Sequence, residues 1–326
     1  MRTTVLGGGA WGTALASHAA RAGLPVRIWI REPEVVAAVN ERRENTVYLP
    51  GVELPEGIRA TSRLDEALAD AEAVLVVVPS EFCRAVYRQA DGLAPKGAVF
   101  VSATKGLEID TLQRMSEVAA AEAPGRPLAV LSGPSFALEV AKGLPTAVVV
   151  ASTDHAVAES VQRPLATRAF RVYSSHDVVG VELAGALKNV IAIAAGIIDG
   201  LGYGHNTEAA LITRGLAEIA RLAVALGARP DTLAGLAGLG DLVLTCTGAL
   251  SRNRTVGQRL GRGLPLAEAG AGIHPEGVRT TLAACALAQR QGIEMPIARQ
   301  MRAVLYEGKL PREAVDELML RSLKRE

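Results

Sequence analysis

Lys188 stands where a lysine is expensive. From Leu183 to Ile198 every residue is apolar, alanine or glycine except Lys188 and Asn189. At helical offsets of three, four and seven, Lys188 shares a face with Ala184, Gly185, Ala192 and Ala195. Its ammonium is therefore set among small side chains, which lets another helix or a ligand come close. Burial disfavours the charged form of a lysine and lowers its pKa, so the amine becomes a general base near neutral pH. A lysine paired with a carboxylate in a helix interface, or one that snorkels outward, would leave the same pattern. Asp241, in the apolar, glycine-rich run Leu236–Thr247 (LAGLGDLVLTCT), is the natural partner, because a charge in such surroundings needs compensation.

Two further groups point to anions. Ser251-Arg252-Asn253-Arg254 opens a helical pattern; Ser251 suits the N-cap, and free N–H groups with Arg252 and Asn253 make an anion site. A capped helix with surface arginines reads the same way. Near the N-terminus, Gly7-Gly8-Gly9-Ala10-Trp11-Gly12 fits G-x-G-x-x-G at Gly7, Gly9 and Gly12. It follows a strand (Thr3–Leu6) and opens an Ala-rich helix (Thr13–Arg21), the context in which such glycines seat a pyrophosphate on a helix N-terminus. The end of the next strand (Val26–Ile30) bears on which nicotinamide cofactor is used. An acid there would hold a ribose 2′-hydroxyl; this chain has Arg31, with Glu32 one place late, so NADP(H) is preferred and NAD(H) is accepted.

The elements that must position these residues fall in two halves. Strand patterns continue at Ala73–Val78, Ala98–Ser102, Leu128–Leu131, Thr146–Ala151 and Ala169–Tyr173, separated by helical stretches such as Glu81–Gln89. Ligands in such sheets bind beyond the carboxyl ends of the strands. Lys105 and Ser135 fall at such ends, although a loop lysine is more often only solvated. After Tyr173 the signal is helical: Asp177–Asp199, Thr207–Leu226, Arg252–Leu260, Gly277–Gln291, Pro296–Tyr306 and Pro311–Leu323. Gly227 and Gly292 suit helix C-termini, and Pro296 and Pro311 suit first turns. The reading is α/β: a Rossmann-like doubly wound sheet over residues 1–176, then an all-helical C-terminal domain over 177–326.

Bulk composition narrows the classes. The chain has 326 residues, enough for about two domains. With 35 basic against 34 acidic residues there is no electrostatic case for nucleic acid or a membrane surface as main partner. Cys83, Cys246 and Cys285 are scattered and odd in number, and form neither a metal cluster nor a disulfide framework. That usage and the lack of a signal peptide fit a cytoplasmic protein. The apolar run Val190–Ile198 is too short to span a bilayer, so no membrane insertion is expected. The Ala-rich helical half could expose a homodimer face.

Taken together, the residues resemble the NAD(P)-dependent glycerol-3-phosphate dehydrogenases of the bacterial single-chain type. The matching stretches are Gly7–Gly12 with Thr13-Ala14-Leu15, VVVPS at Val76–Ser80, ATKGLE at Ala103–Glu108, SGPSFA at Ser132–Ala137 and LPT at Leu144–Thr146. They continue with GALKNVI at Gly185–Ile191, TRGLAE at Thr213–Glu218, AGLGDLVLTCT at Ala237–Thr247 and SRNR at Ser251–Arg254. The match covers nearly the whole chain, in order, and its later stretches are far more specific than the glycine fingerprint. The resemblance implies interconversion of dihydroxyacetone phosphate and sn-glycerol 3-phosphate, supplying phospholipid synthesis. It implies that Lys188 is the proton acceptor. It also implies substrate contacts by Lys105, Gly133, Ser135, Asp241, Ser251, Arg252 and Asn253. Trp11, Arg31, Lys105, Ala137, Arg252 and Glu276 would contact the cofactor. Two other readings stay open. A β-hydroxyacid dehydrogenase also joins a Rossmann domain to a helical domain bearing a lysine, but a carboxylate substrate does not need SRNR at a helix start. A non-catalytic NADP(H) sensor would need no base, and so no Lys188 with Asp241.

Overall fold

The computed structural model describes residues 1–322, in which the chain forms two compact units. The first comprises Met1–Glu108 and Gln113–Glu182. Its eight strands are β1 Thr3–Leu6, β2 Val26–Trp29, β3 Ile58–Thr61, β4 Ala73–Val76, β5 Val99–Ser102, β6 Leu128–Ser132, β7 Thr146–Ala151 and β8 Phe170–Ser175. They lie in the order β3-β2-β1-β4-β5-β6-β7-β8. All neighbours are parallel except β6 and β7. Thr3 faces Val26 on one side and Ala73 on the other, so the order reverses at β1. Such a reversal opens a crevice at the carboxyl end of the strand, where the glycine fingerprint begins.

Helices α1 Ala10–Arg21, α2 Pro33–Arg42, α3 Leu64–Leu68, α4 Ser80–Asp91, α5 Met115–Glu122, α6 Ala137–Ala141 and α7 His155–Leu165 complete this unit. Strand residues alternate between two apolar layers. Val5, Ile28, Leu75 and Val101 pack with α1, α2 and α7, whereas Leu6, Val74, Val76 and Phe100 pack with α4 and α5. Burial on both faces is why these strands read as unbroken apolar runs. The edge strand β3 has no such signal: IRAT is only part-buried, and sequence periodicity passes over it. The short helices α2, α3, α5 and α7 were likewise not evident from apolar period alone.

Helix α8, Val178–Gly200, runs from the first unit into the second. The division between the units falls between Glu182 and Leu183, inside this helix. The reason is a carboxylate. Buried Glu182 accepts hydrogen bonds from the Ser116 amide (2.7 Å), the Ser116 hydroxyl and Arg114 (2.7 Å), which ties the first turn to α5. Ile109–Leu112, conversely, group with the second unit. By length and composition α8 could cross a membrane, but its apolar 18-residue window is wholly buried in protein.

The second unit is helical: α9 His205–Ala225, α10 Pro230–Ala234, a π-turn at Leu236–Gly240, α11 Asp241–Thr247, α12 Arg252–Gly261, α13 Leu266–Ala269, α14 Glu276–Gln291, α15 Pro296–Tyr306 and α16 Pro311–Met319. The last helix ends four residues before the expected limit, and Leu323 lies outside the described residues. Pro296 and Pro311 occupy first turns, and Gly227 and Gly292 follow helix ends with φ of +96° and +65°. Helices α8 and α12 cross through four glycines. A Cβ on Gly196 or Gly257 would overlap a carbonyl oxygen of the facing helix, at Arg254 and Ile193 respectively, and Gly200 and Gly261 repeat the arrangement one turn on. Backbone is thus brought against backbone, as small-residue spacing allows in other helix pairs.

Candidate active site

In the first unit the fingerprint glycines have separate tasks. Gly7 has φ of +125°, and a Cβ there would lie 2.6 Å from the Val77 carbonyl oxygen. A Cβ on Gly12 would overlap the Gly7 carbonyl, so α1 can start only if residue 12 has none. The second glycine differs: a Cβ on Gly9 would meet nothing within 4 Å. That open face is a cradle for a ligand. Gly9 caps α1 without a side-chain hydrogen bond, and no acid stands in the first turn, so the helix amides are left for an anion. The Trp11 indole N–H is buried with no partner among the described residues. These features fit a dinucleotide, and Gly7, Gly9, Trp11 and Gly12 are the residues that would hold it. Asn45, which sequence reasoning did not single out, locks the loop. Its amide donates to the Gly8 carbonyl (2.8 Å) and to the Thr13 hydroxyl (2.7 Å) from a fully buried position.

Arg31 is 75% exposed and bonds Glu32 at 3.2 Å, and the Tyr48 hydroxyl donates to the same carboxylate at 3.4 Å. The acid that stands one place late in sequence is thus a neighbour of the guanidinium. Lys105, Gly133 and Ser135 are brought together. Lys105 Nζ donates to the Gly133 carbonyl (2.8 Å), and Ser135 Oγ donates to the same oxygen (2.9 Å). Gly133 has φ of +130°, and a Cβ there would press on Val148 Cα at 3.0 Å. Ala137 begins α6 directly after this loop.

In the second unit Lys188 has the partner expected of it. Nζ donates to Asp241 Oδ1 at 2.5 Å, with Lys188 6% and Asp241 1% exposed. It also donates to Thr245 Oγ1 at 2.6 Å, and that hydroxyl donates onward to the Asp241 carbonyl at 2.6 Å. Thr245 escaped the sequence reading, although it lies four residues after Asp241 and so shares its helical face. Ser251 caps α12, its Oγ accepting from the Arg254 amide at 3.2 Å. Arg254 turns to Asp199 (3.2 Å), whereas Arg252 is exposed and makes no hydrogen bond or ion pair among the described residues. The Asn253 amide is turned inward to Asn189 and Gly277. Glu276 is the first residue of α14. Among the described residues no group of three or more His, Cys, Asp and Glu could hold a metal ion.

A doubly wound nucleotide-binding sheet, joined to a helical unit with a buried lysine–aspartate pair and an exposed arginine at a helix start, defines the class of nicotinamide-dependent dehydrogenases. Residues 2–158 match the family described as NAD-dependent glycerol-3-phosphate dehydrogenase N-terminus, and residues 177–316 match its C-terminus. The chain belongs to this family. Glycerol-3-phosphate dehydrogenase (NAD(P)+) of Geobacter sulfurreducens is 54% identical over 330 residues, covering 100% of this chain and 98% of that protein. The enzyme of the same name from Nitratidesulfovibrio vulgaris is 53% identical, with full coverage of both. The crystal structure of glycerol-3-phosphate dehydrogenase from Coxiella burnetii superposes with a TM-score of 0.94 at 43% identity, covering 98% of this chain and 99% of that one. A ketopantoate reductase from Ralstonia eutropha shares the fold alone, at 18% identity and a TM-score of 0.62.

Proposed function

We propose that this chain interconverts dihydroxyacetone phosphate and sn-glycerol 3-phosphate with NAD(P)H, and that Lys188 carries the proton. The family supports the reaction; the Lys188–Asp241–Thr245 cluster is the observation that supports the assignment of the base. When bound, the nicotinamide supplies or takes the hydride at C2. The residues do the rest. In reduction the C2 carbonyl π electrons move to oxygen, and the Lys188 ammonium donates a proton there, giving the hydroxyl and a neutral amine. In oxidation the neutral amine takes that proton back. Asp241 and Thr245 hold the amine in place by two of its N–H groups. Arg252, with the first amides of α12, holds the phosphate and so places C2. Lys105, Gly133, Ser135, Ser251 and Asn253 complete the substrate site on this reading.

Residues 1–176 form the dinucleotide-binding domain and residues 177–326 the substrate domain, with Arg31, Lys105, Ala137, Arg252 and Glu276 also against the cofactor. Arg31 favours NADP(H), and the adjoining Glu32 supports use of NAD(H) as well. The enzyme works in the cytoplasm as a homodimer and supplies glycerol 3-phosphate for phospholipids. The deciding assay follows oxidation of NADPH with dihydroxyacetone phosphate, against NADH and against unphosphorylated dihydroxyacetone. Turnover dependent on the phosphate and faster with NADPH is expected. Equal turnover of the two ketones would sink the phosphate site, and faster turnover with NADH would sink the cofactor preference.

A further inference from the structure

Asn45 is 0% exposed, and both N–H groups of its side-chain amide are engaged. Nδ2 donates to the Gly8 carbonyl at 2.8 Å and to the Thr13 hydroxyl at 2.7 Å, and that hydroxyl donates onward to the same carbonyl at 3.3 Å. Oδ1 accepts from the Tyr48 backbone amide at 2.9 Å. The side chain is enclosed by protein and reaches no ligand. What it can do is act through the carbonyl that it holds. Among the described residues no peptide bond is cis, so the C=O of Gly8 and the N–H of Gly9 point opposite ways in one plane. With the oxygen drawn inward to Asn45, the Gly9 N–H is turned outward. It makes no hydrogen bond among the described residues, and it belongs to the residue whose Cβ would meet nothing within 4 Å.

We propose that Asn45 is a positioning residue for the cofactor, a latch that keeps the Gly8–Gly9 peptide with its oxygen inward and its N–H outward, toward the pyrophosphate. The proposal rests on the dinucleotide reading of the glycine loop given above. A latch is needed because both flanking residues are glycine. Flipping one peptide plane rotates the ψ before it and the φ after it by about 180° each and leaves the rest of the chain in place. Gly9 has φ of −67°, so the flip would carry it to a positive φ, which a residue with a side chain resists and glycine does not. The flipped plane would present a carbonyl oxygen to the anion, exchanging a charge-assisted hydrogen bond for a repulsion. Neither glycine can be replaced by a stiffer residue. A Cβ on Gly8 would lie 2.7 Å from Ile30, and one on Gly9 would enter the space left for the ligand. The stiffness is supplied instead from outside the loop, by a buried side chain 37 residues further on.

The test measures binding to the whole protein by calorimetry, without turnover, using two probes. One is 2′-phospho-ADP-ribose, which carries the pyrophosphate; the other is adenosine 2′-monophosphate, which lacks it. Asn45→Ala removes the latch. Asn45→Asp removes the N–H donors but keeps the oxygen that Tyr48 uses, and its carboxylate draws the Gly9 N–H inward. Both variants bind 2′-phospho-ADP-ribose about 10- to 100-fold more weakly than the unaltered protein, as loss of a hydrogen bond to a charged group does. The loss for adenosine 2′-monophosphate is smaller in both, and within about threefold for Asn45→Asp, since less than one neutral hydrogen bond is at stake. In turnover the KM for NADPH rises while kcat at saturating NADPH holds. An equal fall for both probes would mean that Asn45 only anchors the segment of Tyr48, whose hydroxyl bonds Glu32 beside Arg31, and overturns the proposal. So does normal affinity for 2′-phospho-ADP-ribose in either variant: in Asn45→Asp it leaves only the Tyr48 anchor, and in Asn45→Ala only the added charge of the aspartate. If one variant does not fold, the ratio of the two losses in the other decides. If the unaltered protein binds neither probe, the dinucleotide reading fails; if it binds both and the variants match it, only the latch fails.

Discussion

Lys188 and Thr245 are bonded at 2.6 Å between Nζ and Oγ1, and the threonine passes its own proton to the Asp241 carbonyl. The hydroxyl can therefore only accept from the lysine, which sets the direction of that bond. Thr245→Val keeps the shape and removes the acceptor, so it should lower kcat by about 10- to 100-fold, the cost of about 1–3 kcal/mol for a buried donor left unmet. Thr245→Ser should retain most of the rate. Lys188→Ala should lose about 100- to 10,000-fold, the range of general acid–base catalysis, with cofactor binding intact. Steady-state kinetics with NADPH titration checks all three; near-normal turnover by Lys188→Ala would remove it from proton transfer.

Arg252 offers an exposed guanidinium with no protein partner among the described residues. Arg252→Ala should raise KM for dihydroxyacetone phosphate by about 10- to 100-fold, as loss of a hydrogen bond to a charged group does. An unchanged KM would dissolve the phosphate site.

On the proposed reading, cofactor choice turns on Arg31. With Glu32 3.2 Å away, its charge is partly answered already. Arg31→Asp should shift the ratio of kcat/KM for NADPH over NADH toward NADH by about tenfold, one bidentate phosphate contact's worth. The ratio of the two cofactors measures this directly. No change would mean that another residue reads the 2′-position.

Glu218 on α9 is buried and accepts from the Ile297 amide at 2.8 Å, at the start of α15. Burial lifts its carboxyl from the ordinary 4.5 to about 7, against the opposing pull of that bond and of Arg221. The folded state therefore binds a proton that the unfolded chain has shed. The resulting stability is fully present below pH 4.5 and is lost as pH rises through about 7. Glu218→Gln keeps an acceptor for Ile297 and cannot titrate. Denaturant unfolding should show the variant gaining on the parent between pH 5 and pH 8, by roughly 3 kcal/mol at most. A gap that does not move with pH would contradict the raised pKa.

The α8–α12 crossing has no room for a methyl group. Gly257→Ala would push a Cβ onto the Ile193 carbonyl, so the helices must part. Overpacking of this kind costs about 1–3 kcal/mol, a fall in Tm of roughly 2–12 °C for a domain of this size. A thermal melt within a degree of the parent would show that the crossing yields more easily than its geometry implies.

Local order settled much of this protein in advance. The fingerprint turn, the buried strands, the N-cap at Ser251 and the lysine-bearing apolar helix are short-range patterns, set by backbone sterics and by period, and all can be read from neighbours along the chain. Even the Lys188–Asp241 pair was legible, since a charge in apolar surroundings has few partners to choose from. What lay beyond reach depends on contacts between distant segments. The edge strand β3 carries arginine and no apolar run, and only pairing with β2 makes it a strand. The break between the units fell inside α8 because Glu182 found Ser116, 66 residues away. The Asn253 amide is bonded to Asn189 and Gly277, partners 64 and 24 residues away along the chain. Composition and spacing tell which groups can donate or accept; which partner each one takes is decided only when folding brings remote backbone and side chains within hydrogen-bond range.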